Sequence, residues 1–116
     1  MNQRRIQARL DDILEAISGI QATTRGLSFT EYAAAWHLCR ATERGIEIIS
    51  EASGSIPEAL KASRPEIPWR QIADIGNLLR HEYQRVEPLI IWNIVQDHLP
   101  PLQDAIQAIL TKIESG

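Results

Sequence analysis

Between Pro68 and Glu87 the chain reads PWRQIADIGNLLRHEYQRVE, and this stretch gathers the side chains best able to do chemistry. Arg70, Asp74, Asn77 and His81 are spaced 4, 3 and 4 residues apart, so on an ideal helix all four point one way, opposite Ile72, Ile75 and Leu79. A row of polar groups thus ends in a histidine, the side chain whose ordinary pKa lets it take up and return a proton near neutral pH. Two residues on, Tyr83 adds a hydroxyl. Arg80 and Arg85 flank the pair with planar guanidinium groups suited to phosphate or carboxylate. The same row has a plainer reading as a solvated face, with an Arg70 to Asp74 ion pair, an Asn77 to His81 hydrogen bond, and Arg80 and Arg85 paired with Glu82 or Glu87.

Geometry limits how His81 and Tyr83 can cooperate. Residues two apart on a regular helix lie about 200° round the axis from each other, so they cannot share a pocket there. If they act together, the helix must end near them, and Pro88 with the loss of apolar periodicity after Tyr83 is consistent with such an end. The alternative is that Tyr83 continues the buried face after Leu79.

The elements that must position these residues all read as helices. Ile6, Leu10, Ile13, Ile17 and Ile20 recur at spacings of 4, 3, 4 and 3, one apolar stripe on a first helix of about five turns. Ser28 with Glu31 three residues on has capping-box spacing and opens a second helix. Tyr32, Ala35, Trp36, Cys39, Ile46 and Ile49 carry that helix to about Ala52, and Gly45 within it implies a close helix crossing or a modest loss of stability. A connector from Ser53 to Pro68 has room for a short helix over Pro57 to Ala62. Pro68 suits the first turn of the motif helix. After the break at Pro88, Leu89, Trp92 and Val95 begin another stripe, which resumes after Pro100 and Pro101 with Leu102, Ile106, Ile109 and Ile113. The expectation is an all-α, up-and-down bundle of four to five helices forming a single domain over residues 1–116.

Composition narrows the function classes. The 116 residues fit one core, and 44% hydrophobic with 23% charged residues excludes disorder and low-complexity classes. No apolar run is long enough to span a bilayer and the N-terminus lacks a signal-type apolar segment, so the expected location is the cytoplasm without membrane contact. Cys39 is the one cysteine and the three histidines are scattered, which offers no metal-ligand spacing and no intramolecular disulfide. The net charge of −3 argues against bulk electrostatic binding of nucleic acid, so any such contact must be local. Ten of the twelve basic residues are nonetheless arginine, with Arg64, Arg70, Arg80 and Arg85 in one stretch. His37 reads as a core-edge or interface residue, His98 as a helix C-terminal residue, and Trp36, Trp69 and Trp92 as packing anchors.

At this point the pattern is recognisable. The segments RLDDILEAI, ATERGIEIISEAS, IPWRQIADIGNLLRHEYQRV and IIWNIVQDHLPPLQDAI run in order over nearly the whole chain, and IPWRQIA, then RHEY, then a Trp before DHLP are the most specific pieces. The chain resembles the HepT-like branch of the HEPN superfamily, small all-helical proteins paired with MntA-type nucleotidyltransferases. The resemblance implies a metal-independent ribonuclease toxin, with no cofactor, whose homodimer builds a composite site from an R-x(4-6)-H-x-Y motif. His81 and Tyr83 match H-x-Y; the motif arginine would fall at Asp74, Ile75 or Gly76, commonly just before the asparagine matched by Asn77, and that position here is Gly76. Arg80 adjoins His81 as a candidate to compensate. In the family the motif tyrosine is also where the partner nucleotidyltransferase antitoxin attaches AMP, which makes Tyr83 the matching acceptor.

The roles are chemically coherent. RNA cleavage through the 2′-hydroxyl needs a proton acceptor and donor, for which His81 is the best candidate. The transition state gains negative charge, which a positioned arginine stabilises, so the absence of arginine at 76 matters. Asn77 and Arg80 join His81 and Tyr83 as candidate catalytic residues, and Arg70 and Arg85 are candidate contacts to RNA phosphates. The alternative is a non-catalytic dimer of the same fold that binds a nucleotidyltransferase partner or a nucleotide, and Gly76 keeps it open.

Overall fold

The apolar periodicity is realised as an all-helical bundle. A computed structural model describes residues 2–116. Helix α1 (Gln3–Thr24) starts at Asn2, whose side chain accepts from the Arg5 N–H, and buries Leu10, Ile13, Ile17 and Ile20. It runs about a turn longer than its apolar stripe. The capping box forms as expected: the Ser28 hydroxyl accepts from the Glu31 N–H at 3.1 Å, and the Glu31 carboxylate accepts from the Ser28 N–H at 2.9 Å. These bonds, the backbone one foremost, hold the Glu31 carboxyl below its ordinary pKa.

The second helix does not run unbroken to Ala52. It divides into α2 (Phe29–Ala34) and α3 (Trp36–Gly54) at Ala35, whose backbone is extended (φ −101°, ψ 93°). The break frees α2 to swing its aromatic side onto Trp92, with Phe29 edge-on at 6.1 Å and the fully buried Tyr32 tilted at 5.2 Å. Trp36 is left at the outer end of α3, 71% exposed, and is not a packing anchor. The Arg40 guanidinium lies over its ring at 5.6 Å, itself clamped by two hydrogen bonds to Glu43. Further along α3, a Cβ at Gly45 would stand 2.7 Å from Ile20 Cδ1 and Cγ1, so the close crossing of α1 on α3 is what that glycine serves.

A short helix α4 (Glu58–Ala62) occupies the connector. Trp69 ties it to the next element, its indole N–H donating to the carbonyls of Lys61 and Arg64, both at 3.1 Å. Pro68 precedes the first helical residue of α5 (Trp69–His81), which packs on α3. Leu79 is buried there, while Ile72 and Ile75 are only half-buried. Pro88 begins α6 (Pro88–Asn93) at its first position, with Ile91 rather than Leu89 turned inward; Leu89 is exposed.

Pro100 and Pro101 do not interrupt the chain's last helical stretch. They sit in the first turn of α7 (Leu99–Ser115), and the preceding residues Ile94–His98 widen into a π-turn in which the Leu99 N–H bonds the Ile94 carbonyl five residues back. Two residues without an N–H cannot extend the ordinary spacing, and the wider turn absorbs the mismatch. His98 therefore lies inside a continuous helical run, not at a helix C-terminus. His37 is exposed at the start of α3. The four long helices α1, α3, α5 and α7 make the bundle, with α1 packed on α3 and α7 and α3 between α1 and α5. Among the described residues no helix is long and apolar enough to cross a membrane.

Candidate active site

Helix α5 stops at His81. Glu82 leaves helical geometry (φ −145°, ψ 46°), although its N–H still closes the last turn on the Leu78 carbonyl at 2.7 Å. Tyr83–Arg85 then form a single 3₁₀ turn, pinned by the buried Val86 and followed by Pro88. The condition for His81 and Tyr83 to cooperate is met, because the regular-helix rule that would set them on opposite sides ends between them. Tyr83 does not continue the buried face. It is 69% exposed, and His81 is exposed on the last turn of α5.

Arg70, Asp74, Asn77 and His81 are all exposed along α5, while Gly76 and Leu79 are buried. The plain reading of this face fails in its details. Among the described residues neither an Arg70 to Asp74 ion pair nor an Asn77 to His81 hydrogen bond forms; Asn77 Oδ1 instead accepts from Arg80 Nη2 at 2.6 Å. Arg85 does follow the plain reading, pairing with Glu82 at 3.1 Å in an exposed contact worth at most about 1 kcal/mol. Arg70 lies eleven residues from His81, about 16 Å along the axis, too far to touch the same phosphate.

Gly76 is more than a motif position lacking its arginine. A Cβ there would overlap the hydroxyl and Cβ of Ser50, which is itself buried on α3 and donates to the Ala73 carbonyl at 3.4 Å. Position 76 is the contact point of α3 on α5, and it admits no side chain in this packing. No pattern in the sequence announces this, because Ser50 and Gly76 are 26 residues apart and belong to different stripes.

Beside the polar row runs an apolar groove of about 370 Å³ between α3, α5 and the start of α7. Ile46, Ile49, Ile72, Ile75, Leu78 and Leu99 line it, with Asp74 and His98 among its polar members. Spacing alone puts Ile72 and Ile75 simply on the buried side of this helix and does not anticipate the groove.

The all-helical fold agrees with what the chain is similar to. A family model described as ribonuclease HepT-like matches residues 13–109. A protein of Thermococcus cleftensis bearing the name "Probable ribonuclease HepT" is 36% identical over 100 residues, which cover 86% of this chain and 91% of that protein. A protein of Caldanaerobacter subterraneus bearing the name "Putative RNase" is 32% identical over 103 residues, 89% of this chain and 92% of the relative. Another named "Putative RNase", from Methanocaldococcus jannaschii, is 28% identical over 109 residues, 94% of this chain and the whole of the relative. No solved structure matches the chain. The family match spans most of the helical bundle and the relatives align nearly end to end, so the chain belongs to the ribonuclease HepT-like family of all-helical HEPN proteins.

Proposed function

We propose that this protein is a metal-independent endoribonuclease toxin of a HepT/MntA-type pair, acting in the cytoplasm and neutralised when its nucleotidyltransferase antitoxin attaches AMP to Tyr83. The observation that carries the reading is the end of α5 at His81, which leaves an exposed imidazole on its last turn, an exposed phenol two residues on and, one residue before His81, an arginine held by Asn77. His81 removes the proton from the RNA 2′-hydroxyl or supplies one to the departing 5′-oxygen. Attachment of AMP joins the Tyr83 oxygen to the α-phosphorus of ATP with pyrophosphate leaving, and so places bulk and negative charge over the site.

One copy of the motif supplies one imidazole, whereas cleavage needs an acceptor and a donor. A homodimer supplies both if its two-fold axis passes near α5. The half-buried Ile72, Ile75 and Leu78 beside the polar row, and the exposed Leu89 and Ile90 that follow Tyr83, support a second copy as the partner of this face. Ile75→Glu is expected to convert the dimer to a monomer by light scattering at micromolar concentration with helical content unchanged. A dimer that persists in the variant would remove the groove from the interface.

The test of the activity is cleavage of RNA in excess chelator, after intact mass has established that no AMP is attached. Cleavage is expected from the unmodified protein, and co-expression with the cognate nucleotidyltransferase is expected to add AMP to the parent but not to Tyr83→Phe. Absence of cleavage by unmodified protein would sink the ribonuclease reading. It would leave the second one, a non-catalytic dimer that binds the nucleotidyltransferase or a nucleotide, which the lack of an arginine at Gly76 favours.

A further inference from the structure

A site that breaks a phosphodiester needs a fixed, unneutralised cation beside its proton-transfer group, and the arginines of this region differ sharply in that respect. Arg64 is paired with Glu66 at 3.3 Å. Arg85 is paired with Glu82 at 3.1 Å. Arg70 is about 16 Å along the helix from His81. Arg80 alone is the chain neighbour of His81, has no carboxylate on it among the described residues, and is nevertheless held, by the neutral amide oxygen of Asn77 at 2.6 Å. That bond folds its guanidinium back along α5 toward Gly76, where Nη1 lies 3.8 Å from the point a Cβ would occupy. A side chain longer than a methyl group at 76 would compete for that space.

We infer that Arg80 is the phosphate-binding cation of the site, that Asn77 is its positioning residue, and that the bare backbone of Gly76 makes room for it. The inference rests on the ribonuclease reading and specifies which group replaces the arginine that position 76 lacks. Asn77 suits the task because it accepts a hydrogen bond without cancelling charge; a carboxylate at the same place would hold the guanidinium as well and neutralise it.

The experiment is metal-free cleavage kinetics on the full chain. Arg80→Ala is expected to lower kcat about 10²–10³-fold with a smaller change in KM. Guanidinium ion at tens of millimolar is expected to restore at least about tenfold of that loss, where potassium at equal ionic strength does not and where His81→Ala gains nothing. Asn77→Asp is expected to be slower than Asn77→Ala, because it keeps the bond and removes the free charge; a purely structural role for Asn77 predicts the reverse order. Circular dichroism separates these effects from unfolding, since Arg80 and Asn77 are both exposed. Arg80→Ala cleaving within threefold of the parent while His81→Ala is inactive would overturn the assignment and leave the ribonuclease reading standing. Parent, Arg80→Ala and His81→Ala cleaving at the same rate would overturn both.

Discussion

His81→Ala is expected to lose RNA cleavage by about 10³-fold or more while keeping its fold and its affinity for uncleavable RNA. A positioned general acid or base contributes about 10²–10⁴-fold, and in a symmetric dimer the substitution removes the acceptor and the donor together. The residue has little else to lose. It is the last residue of α5, it is exposed, and among the described residues its side chain makes no hydrogen bond. A surface truncation of that kind moves stability by about 0.5 kcal/mol or less, so melting should be unchanged and the loss should fall in kcat. Binding measured with RNA carrying 2′-O-methyl groups should differ little from the parent. A variant that still cleaves within threefold of the parent would remove His81 from the chemistry, and with it the proposed mechanism.

The second large effect concerns Gly76. Restoring an arginine there, the direct way to complete the motif, is expected to damage the protein. The new Cβ would overlap two atoms of Ser50 at a buried helix contact, which costs about 1–3 kcal/mol in overpacking before the charged side chain is considered. Ser50→Gly removes both atoms at a cost of about 0.5–1 kcal/mol for a glycine within α3. The double variant should therefore be more stable than Gly76→Arg alone, with a favourable coupling of about 1 kcal/mol or more by denaturant unfolding. Strict additivity would show that α3 and α5 do not meet at these two residues. In the double variant, Arg80→Ala should also cost less cleavage than in the parent, because a second guanidinium then stands near the same site.

Much of this was written in the chain itself. The 4-3-4-3 stripe made α1, the Ser28–Glu31 spacing made a real capping box, Gly45 marked a real crossing, and the H-x-Y motif with Pro88 placed a helix end at His81. These features are local, and their energies depend on residues within a turn or two, so spacing alone determines them. Where several helices compete for the same side chains, the outcome was set in three dimensions. Ala35 breaks a good helical pattern because Phe29 and Tyr32 find Trp92, and Trp36 is exposed as a result. The helix through Pro100 and Pro101 persists because a π-turn takes up the missing N–H groups within a packed bundle.

The site divides in the same way. Residue types and spacing between Pro68 and Glu87, with the family resemblance, named His81, Tyr83, Asn77 and Arg80, together with the arginines at 70 and 85. Only tertiary structure decided that Ser50, from a helix 26 residues earlier, fills the space over Gly76, that Asn77 holds Arg80 back along α5 toward that bare backbone, and that an apolar groove opens beside the polar row. Periodicity reports which face of a helix is apolar, not which neighbour covers it or how closely, because contact distance between two helices is fixed by side chains on both.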